Sequence, residues 1–396
     1  MRLTEVNTAD LAKQFINVNY LLQKDDVNYI RPLNKDIEAV FDPQKNKAFR
    51  TGEVIRWILK DNNNNLIGRI AAFVNSKYKN KGDAVPVGGM GFFECINNQD
   101  AANVLLDTAK NWLQEKGMEA MDGPINFGER DRWWGLLVEG FTPPVYGLNY
   151  NPPYYQQLLE NYGFKPFFNQ LCFALNVKDK LQEKFFTRHA AVAADENYTA
   201  LHIQRTHLQK FATDFATVYN KAWAGHGGLK QLDEKIVLNM FNAMKPVLDE
   251  RVCWFVYYKK EPIAIWINLP DLNQWFKYMN GKFGVWQKFY FLWVKLTKRN
   301  HKFTGLVFGI VPEFQGKGVD AYMIVEGSKI IQQLKPTDDS YKVGKPIYDE
   351  YEMQWIGEFN PKMISVAESL GTYRSRKLVT YRYMFNGTVH PMHPLV

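Results

Sequence analysis

The spacing of apolar and polar positions predicts alternating strands and helices along the first 180 residues. Apolar residues three or four positions apart predict helices, whereas alternating or short continuous apolar runs predict strands. The predicted helices cover residues 8–22, 100–116 and 151–162. The predicted strands cover residues 3–8, 54–60, 66–74, 91–96, 118–124 and 167–177. Such a mixture indicates an α/β fold with a mixed sheet.

The same order of elements returns in the second half of the chain. The predicted strands there cover residues 198–204, 252–258, 263–269, 305–311, 348–356 and 378–385. The predicted helices cover residues 208–222, 232–245, 319–334 and 360–370. The clearest repeat is a helix that starts at Asn-Pro and stops at glycine, at residues 151–163 and 360–371. The predicted divisions are an N-terminal domain (1–180), a connecting helix (181–197), a C-terminal domain (198–385) and a tail (386–396).

A short glycine loop lies between a buried strand and an amphipathic helix of the second half. It reads Gln315-Gly316-Lys317-Gly318. Backbone N–H groups at the start of a helix, together with the helix dipole, attract anions. Two glycines let the backbone approach a pyrophosphate closely, and the lysine adds a positive charge. The sequence therefore predicts a phosphate-binding loop, and glycines that serve packing alone are the alternative.

This loop, with Val-Pro-Glu before it, resembles the acetyl-CoA loop of the GNAT acyltransferase superfamily, whose pattern is Arg/Gln-x-x-Gly-x-Gly/Ala after the fourth strand. One position departs from that pattern, because Asp320 replaces a small residue and brings a carboxylate near the phosphates. The resemblance implies acetyl-CoA or a longer acyl-CoA as co-substrate. The cofactor-binding residues that it implies are Ile310, Val311, Gln315, Gly316, Lys317, Gly318, Val319 and Asn360.

The repeated order of elements is similar to two GNAT folds in tandem, related by a pseudo-two-fold axis, and the resemblance covers nearly the whole chain. Myristoyltransferases and the peptidoglycan aminoacyltransferases of the Fem type share this arrangement. In the first half, the position of the phosphate loop reads Ile-Asn-Asn-Gln-Asp-Ala-Ala at 96–102, without a glycine. We therefore expect the second half alone to hold CoA.

A charged segment at residues 122–141 joins two predicted elements of the first half. Its Gly-Pro-x-Asn and Trp-Gly-Leu-Leu runs resemble those of poorly characterised bacterial tandem acyltransferase-like proteins. One interpretation is a charged loop held by buried tryptophans. The other is a wall for the acceptor substrate that faces the CoA half across the cleft between the halves. The candidate substrate-binding residues are Asn126, Glu129, Trp133 and Trp134.

Acyl transfer from a thioester to an amine needs a polarised carbonyl, a base for the amine and a stabilised thiolate leaving group. Many GNAT proteins place a tyrosine acid four residues before the glycine of the late helix, where this chain has Leu159 and Ala367. The candidate catalytic residues, on the predicted fifth strand, are Tyr351 and Glu352. Tyr348 and Glu350 on the same strand are alternatives of equal standing, and weaker candidates are Glu94, Asp131 and His226. No metal or hydrolase motif occurs in the sequence, and we predict no metal site.

Lysines and aromatic residues alternate between Asp271 and Glu313, where the chain has no acidic residue. This segment supplies most of the excess positive charge of the chain, which is +8. Three interpretations compete. They are a packed helix with lysine side chains reaching to water, peripheral membrane contact through residues 275–303, and a nucleic-acid grip. We rank packing first and nucleic acid last.

The composition limits the cellular location. The three cysteines, at positions 95, 172 and 253, are an odd and widely spaced set, which is typical of a reducing compartment. The first residues lack the apolar core of a signal peptide. No window approaches 18 uninterrupted apolar residues, so we predict no membrane span. We expect a cytoplasmic protein with peripheral membrane contact as the alternative.

The resemblance and the residues together predict an enzyme, an acyl-CoA-dependent N-acyltransferase that acts on an amine of a lipid-like or other small acceptor. The aromatic residues, 15% of the chain, could line a tunnel for an acyl chain longer than acetyl. Two alternatives stay open at this point. One is Fem-like transfer of an aminoacyl group from tRNA, and the other is a non-catalytic scaffold that binds CoA or a lipid.

Overall fold

A computed structural model describes residues 1–80, 82–223, 231–337 and 340–390. The strands are β1 (Arg2–Glu5), β2 (Gly52–Lys60), β3 (Leu66–Asn75), β4 (Val87–Cys95), β5 (Ala120–Gly123), β6 (Leu136–Glu139), β7 (Lys165–Asn176), β8 (Tyr198–His202), β9 (Trp254–Tyr258), β10 (Glu261–Pro270), β11 (Lys302–Ile310), β12 (Lys335–Pro336), β13 (Tyr341–Lys342), β14 (Glu350–Met353), β15 (Ile356–Gly357) and β16 (Tyr373–Met384). The α-helices are α1 (Ala9–Gln23), α2 (Asn34–Val40), α3 (Gln99–Glu115), α4 (Tyr155–Tyr162), α5 (Glu183–Ala193), α6 (Leu208–Ala222), α7 (Glu234–Met244), α8 (Asn273–Phe276), α9 (Val285–Thr297), α10 (Val319–Ile331) and α11 (Pro361–Ser369).

One continuous mixed sheet of 14 strands runs through the described part of the chain. Its main order is β1-β2-β3-β4-β5-β16-β7-β14-β11-β10-β9-β8, with β6 on β16 and β15 on β7. Each half repeats one scheme. An antiparallel meander ends in a fourth strand, and a helix then crosses over to a parallel fifth strand: β4-α3-β5 in the first half and β11-α10-β14 in the second. The predicted α/β fold with two similar halves is confirmed.

The strands at the seam are exchanged between the halves. The last strand of the chain, β16, lies between β5 and β7 of the first half, and β7 lies next to β14 of the second half. Both neighbours of β16 are antiparallel to it. The two halves therefore share backbone hydrogen bonds across the middle of one sheet. The predicted boundary at residues 181–197, where α5 lies, stays a prediction.

Strand direction places the two fourth strands in opposite orientations. β4 is parallel to β5, and β11 is parallel to β14, but three antiparallel steps separate β5 from β14. The carboxyl ends of β4 and β11 therefore point in opposite directions, so they lie at opposite edges of the sheet in the sense of its two rows of strand ends. Because α9 leads into the amino end of β11, α9 lies at the same row of strand ends as the carboxyl end of β4.

Helices cover both faces of the sheet. Trp254 and Phe255 are successive residues of β9, so their side chains point to opposite faces. Trp254 lies against Gly327 of α10, and Phe255 packs on Phe211 of α6 with ring centroids 4.9 Å apart. In the first half, α1 packs on one face through Phe15, and α3 packs on the other through buried leucines and alanines. Burial on both faces explains the long apolar runs in the central strands.

Most predicted elements lie where the pattern placed them, and the differences have local causes. Thr8 caps α1 by accepting a hydrogen bond from the amide of Leu11 at 3.2 Å. Helix α4 begins at Tyr155 instead of residue 151, because Asn151 bonds both backbone groups of Leu137 in β6. The pattern missed α2 and β6, which are too short to show a period.

Candidate functional site

Strands β11 and β14 separate part-way along their length. They pair in parallel from Lys302 with Glu350 to Gly305 with Met353. Strand β11 then continues to Ile310, and no strand in the described ranges pairs with this part on its β14 side. We call this gap the second-half splay. Its unpaired strand edge can offer N–H and C=O groups to a ligand.

The hydroxyl of Tyr351 lies where the second-half splay begins. Trp266 Nε1 donates to it at 3.3 Å. A Cβ built on Gly305 would lie 2.1 Å from the hydroxyl oxygen, so a side chain at this position would collide with it. Burial raises the pKa of Tyr351 to about 12. The hydroxyl therefore carries its proton at neutral pH.

A small apolar cavity adjoins Tyr351. Residues of β11, α10, β14 and α11 contribute to its wall. The wall includes Trp266, Phe303, Phe308, Ile324, Tyr351 and Met353. A hydrocarbon chain would lose its contact with water there without leaving polar groups unpaired.

The glycine loop begins where β11 ends. Gly316 and Gly318 have φ angles of +73° and +85°, which glycine adopts readily. Gln315 Nε2 donates to the carbonyl of Ile310 at 3.0 Å and holds the loop against the strand end. Within the described part of the chain, the amides of Gly316, Lys317 and Gly318 donate to no protein acceptor. They are free to receive an anion.

The carboxylate of Asp320, which departs from the GNAT pattern, is paired within the protein. Arg188 of α5 donates to it at 2.9 Å. The guanidinium offsets the negative charge that Asp320 brings to the start of α10. Helix α5 also packs close to the loop, since a Cβ on Gly318 would lie 3.1 Å from Cγ2 of Val192.

Two other predicted site residues make structural contacts. Glu352 is fully buried and accepts hydrogen bonds from Arg376 Nε at 2.6 Å and Lys302 Nζ at 2.8 Å. Burial alone would raise the pKa of Glu352, but these two cations hold it below its ordinary value. Asn360 caps α11 by accepting from the amide of Met363 at 3.2 Å. The catalytic role of Glu352 and the cofactor role of Asn360 stay predictions.

The predicted acceptor wall lies in the first half. Asn126, Glu129, Trp133 and Trp134 all line one open groove; Asn126 and Trp134 are buried and Glu129 is exposed. The groove follows the carboxyl end of β5, whereas the glycine loop follows the carboxyl end of β11. Since these ends lie at opposite edges of the sheet, the structure does not bring the predicted wall and the predicted CoA loop together. The acceptor role of the wall stays a prediction.

The first half has a splay of its own, between the last part of β4 and β5. The two strands pair from Val87 with Ala120 to Gly89 with Asp122, and β4 then continues to Cys95. We call this gap the first-half splay. It opens into a pocket that the side chains of Glu94, Arg69 and Tyr155 help to line.

A buried carboxylate, Glu94, lies in the first-half splay. Gln23 Nε2 donates to it at 3.0 Å, the hydroxyl of Tyr155 at 2.8 Å and Arg69 at 3.3 Å, and Asn19 Nδ2 donates as well. Burial raises the pKa of Tyr155 well above its ordinary value, and the charge of Glu94 adds to this effect. Tyr155 therefore stays protonated.

Sequence reasoning ranked Glu94 low and did not single out Tyr155. Tyr155 lies eight residues before Gly163, while the family pattern points to the residue four before that glycine. The signal that was available is the Pro-Pro-Tyr-Tyr run, which places an aromatic residue at the first turn of α4. Of the other weak candidates, His226 lies outside the described residues.

Helix α9 exposes an apolar face. Phe291 and Val294 are buried on a cluster with Leu33, Trp275 and Phe276. The remaining large apolar side chains of the helix point to solvent, with Trp286 82% and Leu296 86% exposed. The exposed set is Val285, Trp286, Phe289, Tyr290, Leu292, Trp293 and Leu296. The helices in the described ranges include none with the length and hydropathy needed to cross a bilayer.

Comparisons with known proteins place this geometry among tandem acyltransferase folds. No family model matches the chain. The chain is 24% identical over 382 residues to the bacterial ceramide synthase of Caulobacter vibrioides, covering 93% of this chain and 95% of that protein. It is also 24% identical over 384 residues to the protein YghO of Escherichia coli, covering 93% and 91%.

Among solved structures, a tandem GNAT protein from the clavulanic acid biosynthesis pathway superposes with a TM-score of 0.53 at 10% identity. The match covers 98% of this chain and 99% of that chain. A likeness at this identity concerns the backbone, and it extends over both halves. The chain has the tandem GNAT fold.

Proposed function

We propose that the protein is an acyl-CoA-dependent N-acyltransferase that transfers an acyl group to an amine on a lipid-like acceptor. The second-half splay carries this proposal, because it combines a protonated tyrosine, an apolar cavity and a glycine loop with open amides. The similarity to a protein named bacterial ceramide synthase supports an acyl acceptor of lipid character.

The carrier would bind along β11. The diphosphate of acyl-CoA would take hydrogen bonds from the amides of Gly316 to Val319 at the start of α10, with Lys317 as a counter-charge. The thioester would then lie along the unpaired edge of β11, where a backbone N–H can polarise its carbonyl. The acyl chain would enter the cavity beside Tyr351.

The transfer would use Tyr351 as the acid. The amine nitrogen attacks the thioester carbonyl, a C–N bond forms and the C–S bond breaks. The thiolate leaves and takes the proton of the Tyr351 hydroxyl, and the tyrosinate is reprotonated by the proton that the amine nitrogen loses. The Trp266 N–H stabilises the tyrosinate in between.

The exposed face of α9 would rest on an anionic membrane surface. Seven large apolar side chains on one short helix are costly in water and are typical of interfacial helices. Lys282, Lys288 and Lys298 are exposed around them, and the segment has no acidic residue. Each lysine near an anionic surface contributes about 1 kcal/mol. The glycine loop follows the other end of β11, on the side away from the membrane.

Release of free CoA thiol tests the proposed reaction. Acyl-CoA thioesters from acetyl to palmitoyl are mixed with the protein and a long-chain primary amine, and thiol is followed with a chromogenic disulfide. We expect turnover that increases with acyl length and an amide product of matching mass. Failure of every acyl-CoA to bind would refute the proposal, and binding without turnover would indicate the non-catalytic scaffold.

Vesicle co-sedimentation tests the membrane contact. The protein should bind phosphatidylcholine vesicles that contain phosphatidylserine more strongly than vesicles without it. The double substitution Trp286→Ser and Leu296→Ser should abolish binding. The matched control is Ile236→Ser, which removes an exposed apolar side chain from α7. Equal loss in both variants would contradict a docking role for α9.

A further inference from the structure

The pocket of the first-half splay takes no part in the transfer step described above. It lies between β4, α1, α2 and the segment that follows β6, and Asn273 of the second half closes one side. Its wall carries two carboxylates, from Asp36 and Glu94, and one guanidinium, from Arg69. These three groups sum to one negative charge, and the Asp36 carboxylate also interacts with the Arg132 guanidinium beside the pocket.

Aromatic side chains surround these charges. Seven of them line the pocket, and the face of an aromatic ring attracts a cation. They are Tyr29, Phe92, Phe93, Trp133, Tyr146, Tyr150 and Tyr155. The nearby Arg132 lies over the Tyr146 ring at 5.3 Å and lines the open groove. Carboxylates and aromatic faces in one pocket are an environment that an ammonium group prefers.

The two carboxylates differ in their freedom to meet a ligand. Glu94 already accepts four hydrogen bonds from the protein, which fill its lone pairs. Asp36 accepts one side-chain hydrogen bond, from the hydroxyl of Tyr146 at 2.8 Å, through Oδ2. Asp36 is thus the direct partner that the pocket offers to a cation, and Glu94 supplies charge and holds Tyr155 in place.

One residue of the pocket wall has an unsatisfied donor. Arg69 is 3% exposed, and its Nε has no hydrogen-bond partner in the part of the chain that the structure describes. A neutral ligand oxygen beside the ammonium group would satisfy it.

The pocket adjoins the helix that we expect at the membrane. Leu33 and Tyr146 line the pocket and also belong to the apolar cluster on which α9 is seated. Both features lie at the sheet edge where β4 ends. We propose that this pocket binds the ammonium group of a lipid-borne amine that carries a neighbouring hydroxyl or other neutral oxygen. The lipid-borne part rests on the membrane contact proposed for α9; the ammonium site does not depend on acyl transfer.

Calorimetric titration of the full-length protein, without any acyl-CoA, tests the site. The probes are 2-aminooctan-1-ol, octan-1-ol and 2-aminoethanol at neutral pH. We expect 2-aminooctan-1-ol to bind at least tenfold more tightly than either of the others. Equal binding of octan-1-ol would overturn the ammonium site. Equal binding of 2-aminoethanol would overturn the lipid-borne assignment.

Two matched variants locate the binding. Asp36→Asn keeps an acceptor for Tyr146 but removes the charge, and it should weaken 2-aminooctan-1-ol binding about tenfold. Asp26→Asn makes the same change at a carboxylate that accepts from Tyr150 at 2.6 Å but does not line the pocket, and it should leave binding unchanged. Thermal unfolding confirms that both variants fold. Equal affinities in the two variants would overturn the proposal.

Discussion

The two splays lie at equivalent pairs of parallel strands, β4 with β5 and β11 with β14, but their side chains differ in polarity. At the next-to-last position of the fourth strand, the first half has Glu94 and the second half has Gly309. Glu94 meets polar side chains of α1. Gly309 lies against Trp223 at the end of α6, and a Cβ there would lie 2.0 Å from the ring. One splay is polar and contains charged side chains, and the other is apolar.

This difference shows how one backbone frame serves two kinds of ligand. The parallel pair fixes where a gap opens, and a few side chains decide what can enter it. The second half adds the glycine loop, which is missing at residues 96–102 of the first half. We infer that the thioester carrier belongs to the second half and the ammonium ligand to the first.

The largest expected effect concerns the buried charges beneath the second-half splay. Glu352→Gln leaves Arg376, which is 1% exposed, without its carboxylate partner. An unpaired buried charge costs about 3–5 kcal/mol. We expect the free energy of unfolding in urea to fall by that amount, while turnover per folded molecule stays the same. A folded variant of normal stability without turnover would instead assign catalysis to Glu352.

Removal of one tyrosine hydroxyl from each splay in turn tests which splay carries out the transfer. Tyr351→Phe should lower kcat about 100-fold or more, because general acid catalysis contributes at least that much. Binding of acyl-CoA should stay unchanged. Tyr155→Phe makes the same change in the first-half splay and should alter kcat by less than about fivefold, since no transfer step uses that hydroxyl. The reverse ranking of the two variants would move the reaction to the first half.

Asp271 lies at the contact between the two halves and makes the free energy of unfolding depend on pH. It is buried and accepts hydrogen bonds from the amides of Tyr146 at 3.0 Å and Asn273 at 3.1 Å. Burial raises its pKa from 3.8 to about 6. The folded protein thus holds this proton more tightly than the unfolded chain, so the stabilisation is complete below pH 4 and is lost as the pH rises through 6.

Asp271→Asn keeps both hydrogen bonds and removes the titration. Relative to the wild type, it should raise the free energy of unfolding by roughly 2 kcal/mol at pH 7.5 and by little at pH 4. Urea unfolding at both pH values measures the difference. A constant difference between the two proteins across this range would show that Asp271 titrates normally.

The smallest predicted effect concerns the glycine loop. Lys317→Glu should weaken acyl-CoA binding roughly tenfold at low salt, because it replaces an attraction to the diphosphate with a repulsion. The loss should shrink as salt screens the exposed charges. Lys178→Glu, at another exposed lysine, is the control for net charge. Similar titration curves for both variants would place the diphosphate elsewhere.

Much of the fold could be predicted from the sequence. Periodic apolar positions located the long elements, such as α6 at residues 208–222, and the order of elements indicated two similar halves. The exchange of β7 and β16 could not be predicted, because each is the last strand of its half and contains aromatic residues, and nothing in either sequence specifies which half it pairs with. Short elements such as β6 are fixed by tertiary bonds, including those of Asn151.

The candidate site was predictable where backbone chemistry leaves a mark on the sequence. The glycine loop is an example, since its positive φ angles require glycine. The Glu94 network was not predictable, because Asn19, Arg69 and Tyr155 come from four separate elements together with β4. The pairing of Asp320 with Arg188 spans 132 positions and was equally hidden.

Hydrogen–deuterium exchange with and without a non-hydrolysable acyl-CoA thioether tests most directly which half holds the carrier. We expect slower exchange for residues 305–323, which cover the unpaired edge of β11, the glycine loop and the start of α10. Residues 90–102 at the end of β4 should exchange at an unchanged rate. Protection of residues 90–102 with no change at 305–323 would show that the first half holds the carrier instead.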